Sequence, residues 1–271
     1  MKKFEGKVIA ITGAGGVICG GLSEHFASLG AKIALLDLRQ ESGQKVADGI
    51  IAKGGIAKAY ACNVLDENAL KEVHEAIVRD LGKVDILING AGGNSPKATT
   101  DDEFYDPNAA KSFLGLEKSG FEFVFSLNMM GTFLPSKEFL PDLIENKGSV
   151  LNISSMNSFT PLTKIPAYSG AKAAVSNFTK WLATYLAKTG VHVNAIAPGF
   201  FLTAQNRALM FDENGNPSER SKKILNNTPM GRFGEKEELY GASEFLVSPE
   251  ASFITGVVLP IDGGFAAYSG V

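Results

Sequence analysis

The sequence has few of the residues that covalent or metal cross-links require. Its 271 residues include two cysteines, Cys19 and Cys62, and three histidines that lack metal-ligand spacing. Two cysteines are too few for a disulfide framework, and their scarcity is typical of a reducing compartment. The sequence therefore predicts a fold held together by its hydrophobic core and a functional site without a metal.

Long hydrophobic runs and an excess of basic charge are also missing. No stretch approaches the roughly 18 consecutive apolar residues of a membrane span, and the N-terminal apolar run "VIAI" is too short for a signal peptide. The formal net charge of −3 is opposite in sign to the basic footprint of a nucleic-acid-binding protein. We therefore expect a soluble cytoplasmic protein that binds neither membranes nor nucleic acids.

Short apolar runs alternate with amphipathic segments along the whole chain. The runs are "KVIAIT", "KIALLDL", "IAKAYACNV", "VDILING", "GSVLNISS", "VHVNAIAPG" and "GVVLPIDGG". Several are nearly continuous in hydrophobicity, as parallel strands covered on both faces are. Residues 66–81 have apolar residues at helical spacing. This alternation predicts one α/β domain over residues 1–271, a doubly wound Rossmann-type parallel sheet of about seven strands with helices on both faces.

Two segments depart from this alternation. Residues 93–120 are polar and rich in turn formers, and long connections of this kind are often functional. Residues 199–232 are irregular and contain "DENGNPSER", which begins like a calcium loop. Its glycine comes too early and no glutamate closes it, so we interpret it as a surface turn around Asn214-Gly215.

A glycine-rich turn, "TGAGG", links the first strand to a helical segment. Gly13, Gly15 and Gly16 let the backbone approach a pyrophosphate at a helix N-terminus, although a simple tight turn is the alternative. Asp37 closes the second strand 24 residues after Gly13, where a carboxylate accepts hydrogen bonds from ribose hydroxyls. Because this carboxylate would repel a 2′-phosphate, NAD is favoured over NADP. Arg39 leaves NADP open, since it could pair with that phosphate.

The segment "IPAYSGAKAAVSNF" carries a tyrosine and a lysine four positions apart, Tyr168 and Lys172, which places them on one helix face. A surface aromatic beside a solvated lysine is the alternative. An ammonium group lowers the pKa of a neighbouring tyrosine, so that Tyr168 would exchange a proton with a carbonyl oxygen. Ser155 lies 13 residues earlier, just beyond a strand, where its hydroxyl would polarise the same oxygen.

The order of these motifs resembles the short-chain dehydrogenase/reductase family over essentially the whole chain: T-G-x-x-x, Asp, N-x-A-G, Asn, Ser, Y-x-x-x-K and P-G. The strings "INGAGGN", "NISSMNSFTPLTKIPAYS", "AIAPGFFLTAQNR", "TPMGRFG" and "IDGGFAAYSGV" are similar to its branch of D-mannonate oxidoreductases, or fructuronate reductases. The resemblance implies hydride transfer between NAD(H) and a sugar acid, D-fructuronate or D-mannonate. It also implies a cytoplasmic homotetramer.

The resemblance implies a catalytic set of Asn128, Ser155, Tyr168 and Lys172, in which Asn128 binds a water that relays protons to the lysine. The implied cofactor contacts come from Gly13, Gly16, Val17, Ile18, Asp37, Asn63, Val64, Asn89, Gly90, Tyr168, Lys172, Pro198, Gly199, Phe201 and Thr203. The chain departs from the commoner family pattern at four of its positions. Val17 and Cys19 stand where glycines are usual, Gly90 stands where the second of two asparagines is usual, and Asn63 stands where an aspartate is usual.

The substrate side rests on fewer residues. Arg207 would bind a substrate carboxylate through two parallel hydrogen bonds, although a surface salt bridge is the alternative. The further candidates for substrate contacts are Asn94, Ser155, Asn157, Gln205 and Asn206. Residues 93–120 would form a wall over the substrate, and residues 199–232 a flap.

Three alternatives remain at this stage. One is another keto-sugar-acid or polyol dehydrogenase, similar to a gluconate 5-dehydrogenase, or a 3-oxoacyl reductase. Another is a nucleotide-sensing protein without turnover, which would not need the complete catalytic set. The third is a penicillin-binding acyl-serine enzyme, suggested by "SGAK" and "KTG". Its motifs stand here in the reverse order, and Lys188 and Gly190 suit a helix C-terminus.

Overall fold

Seven parallel strands form one sheet in the computed structural model, which describes residues 2–203 and 207–270. The strands are Val8–Thr12 (β1), Lys32–Asp37 (β2), Ile56–Ala61 (β3), Ile86–Asn89 (β4), Ser149–Ile153 (β5), His192–Pro198 (β6) and Val258–Ile261 (β7). Their order across the sheet is β3-β2-β1-β4-β5-β6-β7. Each predicted apolar run contains one of these strands, and the predicted single α/β domain with a doubly wound parallel sheet is confirmed.

The α-helices of the described residues connect and cover the strands. They are Val17–Ser28 (α1), Gln40–Ala52 (α2), Glu67–Asp80 (α3), Lys118–Phe125 (α4), Gly131–Asn146 (α5), Pro166–Leu186 (α6), Arg207–Met210 (α7), Glu219–Asn226 (α8) and Tyr240–Val247 (α9). The helix predicted over residues 66–81 is α3. Asp66 begins it as N-cap, because its carboxylate accepts from the backbone amides of Asn68 at 2.9 Å and Ala69 at 3.2 Å.

Two hydrophobic cores lie on opposite faces of the sheet. Ile9 and Ile11 of β1 face a core that α1, α2 and α9 complete. Val8 and Ala10 of the same strand face a second core, completed by α3, α5 and α6. Successive side chains of a strand point to opposite faces, so a strand buried on both faces is mostly apolar along its length. This is why the strands could be read from continuous apolar runs.

The strand order reverses between β1 and β4, which is where a doubly wound sheet opens a crevice at the carboxyl ends of its strands. The two strands are tied together at this edge. The Thr12 hydroxyl, at the end of β1, accepts from the backbone amides of Gly90 at 3.0 Å and Ala91 at 3.2 Å, just beyond β4. The residues that follow β1, β4 and β5 therefore meet around one crevice.

The two irregular segments are held by specific contacts. In residues 93–120, the Thr100 amide donates to the Lys164 carbonyl at 2.9 Å, which fastens this segment to the chain just before α6. In residues 199–232, Asp212 Oδ1 accepts from the amides of Asn214 at 2.9 Å and Asn216 at 2.8 Å. Gly215 has a φ of +81°, a conformation that glycine adopts readily. The predicted turn around Asn214-Gly215 is confirmed.

Within residues 2–203 and 207–270, no helix has both the length and the apolar character needed to cross a membrane. The same residues contain no group of three or more His, Cys, Asp or Glu side chains placed to hold a metal ion. Cys19 and Cys62 are both free and buried.

Candidate active site

The glycine turn after β1 leaves the start of α1 open to an anion. Gly13 has a φ of +64°, and a Cβ there would lie 3.0 Å from the backbone nitrogen of Ala91. Gly16 is the N-cap of α1 and supplies no side-chain cap, and no acidic residue occupies the first turn. The amides at a helix N-terminus carry partial positive charge. With Val17 and Ile18 beginning the helix, this turn fits a dinucleotide pyrophosphate.

Asp37 lies at the end of β2, beside this turn. Its Oδ2 accepts from the Gly15 amide at 2.9 Å, and its Oδ1 accepts from the Arg39 amide at 3.0 Å. A Cβ at Gly15 would lie 2.9 Å from Asp37 Oδ2, so this close approach requires glycine. Each carboxylate oxygen has a second lone pair, and Asp37 is only half-buried. It therefore retains acceptor capacity for ribose hydroxyls. The Arg39 side chain is exposed beside it.

Cys19 and Gly90, which both depart from the usual family pattern, are in contact, and the larger side chain of one is matched by the missing side chain of the other. The Cys19 sulfur occupies the volume that a side chain at Gly90 would need. Burial raises the pKa of the Cys19 thiol to about 12. The thiol therefore stays neutral, and Cys19 acts as a packing residue beneath the crevice.

The remaining cofactor candidates after β3 and β4 fall into two groups. Asn63 is exposed, and its Oδ1 accepts from the Leu65 amide at 3.1 Å, while Val64 is buried. Asn89 is buried instead, and its Nδ2 donates to Ser136 Oγ and to Asn152 Oδ1, both at 2.9 Å. The side chain of Asn89 therefore links β4 to α5 and to β5. Its Oδ1 is buried and has no hydrogen-bond partner among the described residues.

Asn128 lies in a π-helical turn, Ser126–Met130, between α4 and α5. It is fully buried, and its side chain is bound by backbone groups. Nδ2 donates to the carbonyls of Gly93 at 2.7 Å and Val124 at 2.8 Å, and Oδ1 accepts from the Gly93 amide at 3.3 Å. Asparagine is unfavourable in a helix interior, and π-helical turns occur frequently at functional sites. This turn places the Asn128 amide against the loop that follows β4.

Lys172 is buried at the centre of the site, with 4% of its surface exposed. Its Nζ donates to the Ile153 carbonyl at 2.8 Å, at the end of β5. Burial lowers the pKa of Lys172 to about 8. The Nζ lies 5.7 Å from the centroid of the Tyr168 ring, so the two residues share one face of α6, as their spacing predicts.

Tyr168 and Ser155 come from different elements and meet at the crevice. The Ser155 side chain is close enough to the Tyr168 hydroxyl to influence its pKa by hydrogen bonding. Burial raises the pKa of Tyr168, and the hydrogen bond with Ser155 acts in the opposite direction. The expectation that Lys172 lowers this pKa is therefore wrong for the chain by itself. The reason is that the tyrosine is removed from water, which disfavours its charged form.

The residues after β6 line the other side of the crevice. Pro198 ends β6, and the Gly199 amide donates to the Ile261 carbonyl at 2.9 Å. A Cβ at Gly199 would lie 2.6 Å from Asp262 Cα, so this position requires glycine. Phe201 is buried and pairs with Gly234 in an isolated bridge. Thr203 accepts from the Arg207 amide at 3.0 Å through its carbonyl.

The candidate substrate residues are scattered. Asn157 is buried near Ser155, and the backbone amide of Asn157 donates to Ser155 Oγ at 3.3 Å. The side-chain Oδ1 of Asn157 has no partner among the described residues. Asn94 is exposed and donates to Thr99 Oγ1 at 3.1 Å. The Arg207 guanidinium lies 5.5 Å from the centroid of the Phe211 ring. The expected contacts of Gln205 and Asn206 fall outside the described residues.

Gly92 is a site residue that the sequence reading missed. A Cβ there would lie 2.6 Å from Asn128 Oδ1 and 3.2 Å from Lys172 Nζ. Both catalytic candidates therefore pack directly against its α-carbon. The sequence feature that indicates Gly92 is the glycine run in "NGAGGN", although the sequence alone gives no spatial reason for it.

We expect Gly92→Ala to lower kcat about a hundredfold, because displacement of the Asn128 amide by a fraction of an ångström misplaces a catalytic group. Gly93→Ala is the matched control, since its Cβ would make an ordinary contact 3.5 Å from Leu127 Cδ2. Neither glycine has a positive φ. Steady-state kinetics and the melting temperatures of both variants test this. Equal losses of kcat in the two variants would contradict it.

The chain is similar in sequence to several known proteins. The family model described as enoyl-(acyl carrier protein) reductase matches residues 13–266. An uncharacterized oxidoreductase of Haemophilus influenzae is 59% identical over 99% of this chain and 96% of its own length. The 7alpha-hydroxysteroid dehydrogenase of Escherichia coli K12 is 31% identical over 97% of this chain and 95% of its own length.

One solved structure is similar over the full chain. It is the crystal structure of a candidate D-mannonate oxidoreductase from Haemophilus influenza with bound NAD. Its TM-score is 0.97 at 57% identity, and the match covers 100% of this chain and 98% of that one.

Proposed function

The chain belongs to the short-chain dehydrogenase/reductase family, and we propose that it transfers a hydride between NAD(H) and a sugar acid, with D-fructuronate as keto form and D-mannonate as hydroxy form. The observation that carries the proposal is the placement of Tyr168 next to Ser155 and beside the buried Lys172. The similarity to the candidate D-mannonate oxidoreductase supports the choice of substrate.

The proton side of the reaction falls to Tyr168. When bound, NADH supplies the hydride that reaches the carbonyl carbon. Tyr168 donates a proton to the carbonyl oxygen, and the Ser155 hydroxyl hydrogen-bonds the same oxygen and stabilises its developing charge. In the oxidation direction Tyr168 accepts the proton of the alcohol. Its raised pKa keeps the hydroxyl protonated at neutral pH, which suits it to the role of acid in reduction.

Lys172 and Asn128 support the return of the proton. Lys172, bound to the Ile153 carbonyl, lies beside the tyrosine ring and would hold a ribose hydroxyl of the cofactor. Its pKa of about 8 places proton exchange close to neutral pH. Asn128 faces the same space across Gly92, where it would bind a water that relays protons to the lysine.

We assign NAD as the preferred cofactor. The family uses NAD(P), and the Asp37 carboxylate lies where it would accept from the ribose hydroxyls and repel a 2′-phosphate. The pyrophosphate would lie on the uncapped start of α1. The nicotinamide would contact the chain from Pro198 to Thr203.

Residues 93–120 and 199–232 are proposed as wall and flap of the substrate site. A homo-oligomer in the cytoplasm also remains a proposal. It is supported by the exposed rings of Trp181 and Tyr185 on α6, which stack with their centroids 5.1 Å apart.

The proposal is tested by following NADH and NADPH absorbance with the purified enzyme and D-fructuronate. Tagaturonate, 5-ketogluconate, a 3-oxoacyl thioester and a 7-oxo bile acid run alongside, the last two because relatives named for such substrates are 31% or more identical. We expect rapid oxidation of NADH with D-fructuronate, and a lower kcat/KM with NADPH because of Asp37. A higher kcat/KM for tagaturonate or 5-ketogluconate would refute D-fructuronate as the substrate. A higher kcat/KM for the thioester or the bile acid would refute the sugar-acid assignment and leave the family and cofactor intact.

A further inference from the structure

A cavity of about 500 Å³ lies next to the candidate active site. Its lining includes Ile165, the N-cap of α6, three residues before Tyr168, and Phe200, which follows the Pro198-Gly199 pair. Its outer side is formed by α8. We call it the α8 cavity. Through Ile165 and Phe200, the cavity wall continues along the chain into the segments that carry Tyr168 and Gly199.

The charges of the α8 cavity are unequal. Its lining contains three cations, Lys164, Arg220 and Lys223, and two acids, Glu103 and Glu219. Both acids are already paired: Lys223 Nζ binds the two oxygens of Glu103, each at 2.9 Å, and Glu219 binds Lys222 at 2.6 Å. The first pair also joins residues 93–120 to α8. The cavity is left with positive charge that its own acids do not neutralise.

Lys164 and Arg220 are the lining cations outside these two pairs, and the charge of Lys164 also helps Lys223 to lower the pKa of Glu103. Neither Lys164 nor Arg220 makes a salt bridge or a side-chain hydrogen bond to any residue in the described part of the chain. Lys164 has a φ of +71°, in the left-handed region that a lysine rarely adopts. The amide of Thr100 holds it there by donating to its carbonyl at 2.9 Å. Strained residues of this kind persist where surrounding contacts impose them, and they cluster at ligand-binding sites.

We propose that Arg220 and Lys164 bind the carboxylate of the substrate in the α8 cavity, and so determine the preference for an anionic sugar acid over a neutral sugar. This inference rests on the proposed function. A guanidinium binds a carboxylate through two parallel hydrogen bonds, and an ammonium adds a point charge. Arg207, the residue expected from the sequence, is absent from the lining of the α8 cavity and lies over Phe211.

The test compares Arg220→Gln, Lys164→Gln and Arg207→Gln with the wild type, on D-fructuronate and on the neutral ketose D-fructose. The typical contribution of a hydrogen bond to a charged group corresponds to about a 10- to 100-fold change in affinity. We expect the first two variants to raise KM for D-fructuronate by about that factor, with kcat and the activity on D-fructose nearly unchanged. Arg220→Lys keeps the charge and loses the two parallel hydrogen bonds of the guanidinium. Its KM for D-fructuronate should lie between those of the wild type and Arg220→Gln.

Arg79→Gln is the matched control for net charge, because Arg79 is exposed on α3, outside the α8 cavity. It should leave every kinetic constant unchanged. Calorimetric titration with D-mannonate and with mannitol, in the presence of NADH, measures binding apart from turnover, because NADH cannot oxidise either compound. Wild type should bind D-mannonate, and Arg220→Gln should bind it about 10- to 100-fold more weakly.

The possible outcomes separate this inference from the proposed function. If D-fructuronate is reduced and neither Arg220→Gln nor Lys164→Gln raises its KM, the inference is wrong and the proposed function stands. A larger effect in Arg207→Gln than in either of them would also overturn it. If D-mannonate binds in an Arg220-dependent manner without turnover of D-fructuronate, the carboxylate site stands and the proposed substrate fails. If no sugar acid binds or reacts, both fail.

Discussion

Tyr168→Phe is expected to lower kcat by about a hundredfold to ten-thousandfold, which is the range that a positioned general acid contributes. The change removes one oxygen atom and leaves the ring beside Lys172. Only the hydrogen bond with Ser155 is lost from the described contacts of the hydroxyl. The loss should therefore appear in kcat, with the dissociation constant for NADH within a few-fold of the wild type. Stopped-flow or steady-state absorbance measures the first, and NADH fluorescence the second.

Tyr185→Phe is the matched control on the same helix. Tyr185 is exposed and contacts Trp181 through its ring, so its hydroxyl has no part in the proposed chemistry. The control should keep wild-type kcat. Full activity in Tyr168→Phe would remove the tyrosine from the mechanism. Absence of any activity in the wild type, with NADH bound, would favour the nucleotide-sensing alternative.

Lys172→Met is expected to abolish most activity and to change how stability depends on pH. In the folded protein burial lowers the pKa of Lys172 from 10.5 to about 8. Below pH 8 the folded chain therefore carries a buried ammonium, and the full destabilisation that this buried charge causes is present. As the pH rises from 8 to about 10.5, the folded state loses this proton before the unfolded state does. The free energy of unfolding then gains up to about 3 kcal/mol from this group.

The methionine variant lacks this ionisation. Its free energy of unfolding minus that of the wild type should therefore fall by up to about 3 kcal/mol between pH 8 and pH 10.5. Urea unfolding at a series of pH values measures the difference, and titrations common to both proteins cancel. Lys180→Met is the control, because Lys180 is exposed on the same helix. A pH-independent difference for Lys172→Met would mean that the buried lysine titrates near its ordinary pKa.

In Lys172→Met, the loss of activity and the change in the free energy of unfolding have one cause. A lysine without a carboxylate partner in a buried site disfavours the folded state, and the same burial brings its pKa close to neutral pH. Functional sites commonly retain such destabilising groups, because stability is sacrificed where the chemistry requires it.

Local patterns were sufficient to predict much of the fold and part of the candidate site. The seven strands followed from apolar runs, because strands covered on both faces have few polar positions. The pairing of Tyr168 with Lys172 followed from helical spacing, and the anion-binding turn from Gly13 and Gly16 before a helix. Each of these inferences uses residues close together in the chain, whose relative positions the backbone geometry determines.

Other features required contacts between distant segments. Cys19 replaces a glycine of the usual family loop, and only the structure places it against Gly90, which replaces an asparagine. Only the structure shows that Asn89 Nδ2 binds Ser136 and Asn152, while its contact with a cofactor stays a prediction. The pKa of Tyr168 was expected to fall, and burial raises it. Sequence spacing gives no measure of burial, so it could not predict these outcomes.

The sequence by itself determined the doubly wound sheet, the family and the residues that can carry proton and hydride transfer, because these depend on hydrophobic periodicity and on short motifs. Only the tertiary structure decided that Gly92 separates Asn128 from Lys172, that the Ile153 carbonyl holds the lysine, and that Lys164 and Arg220 lie in the same cavity. These arrangements join residues far apart in the chain. Their distances depend on how helices and loops pack around the sheet, which no local pattern encodes.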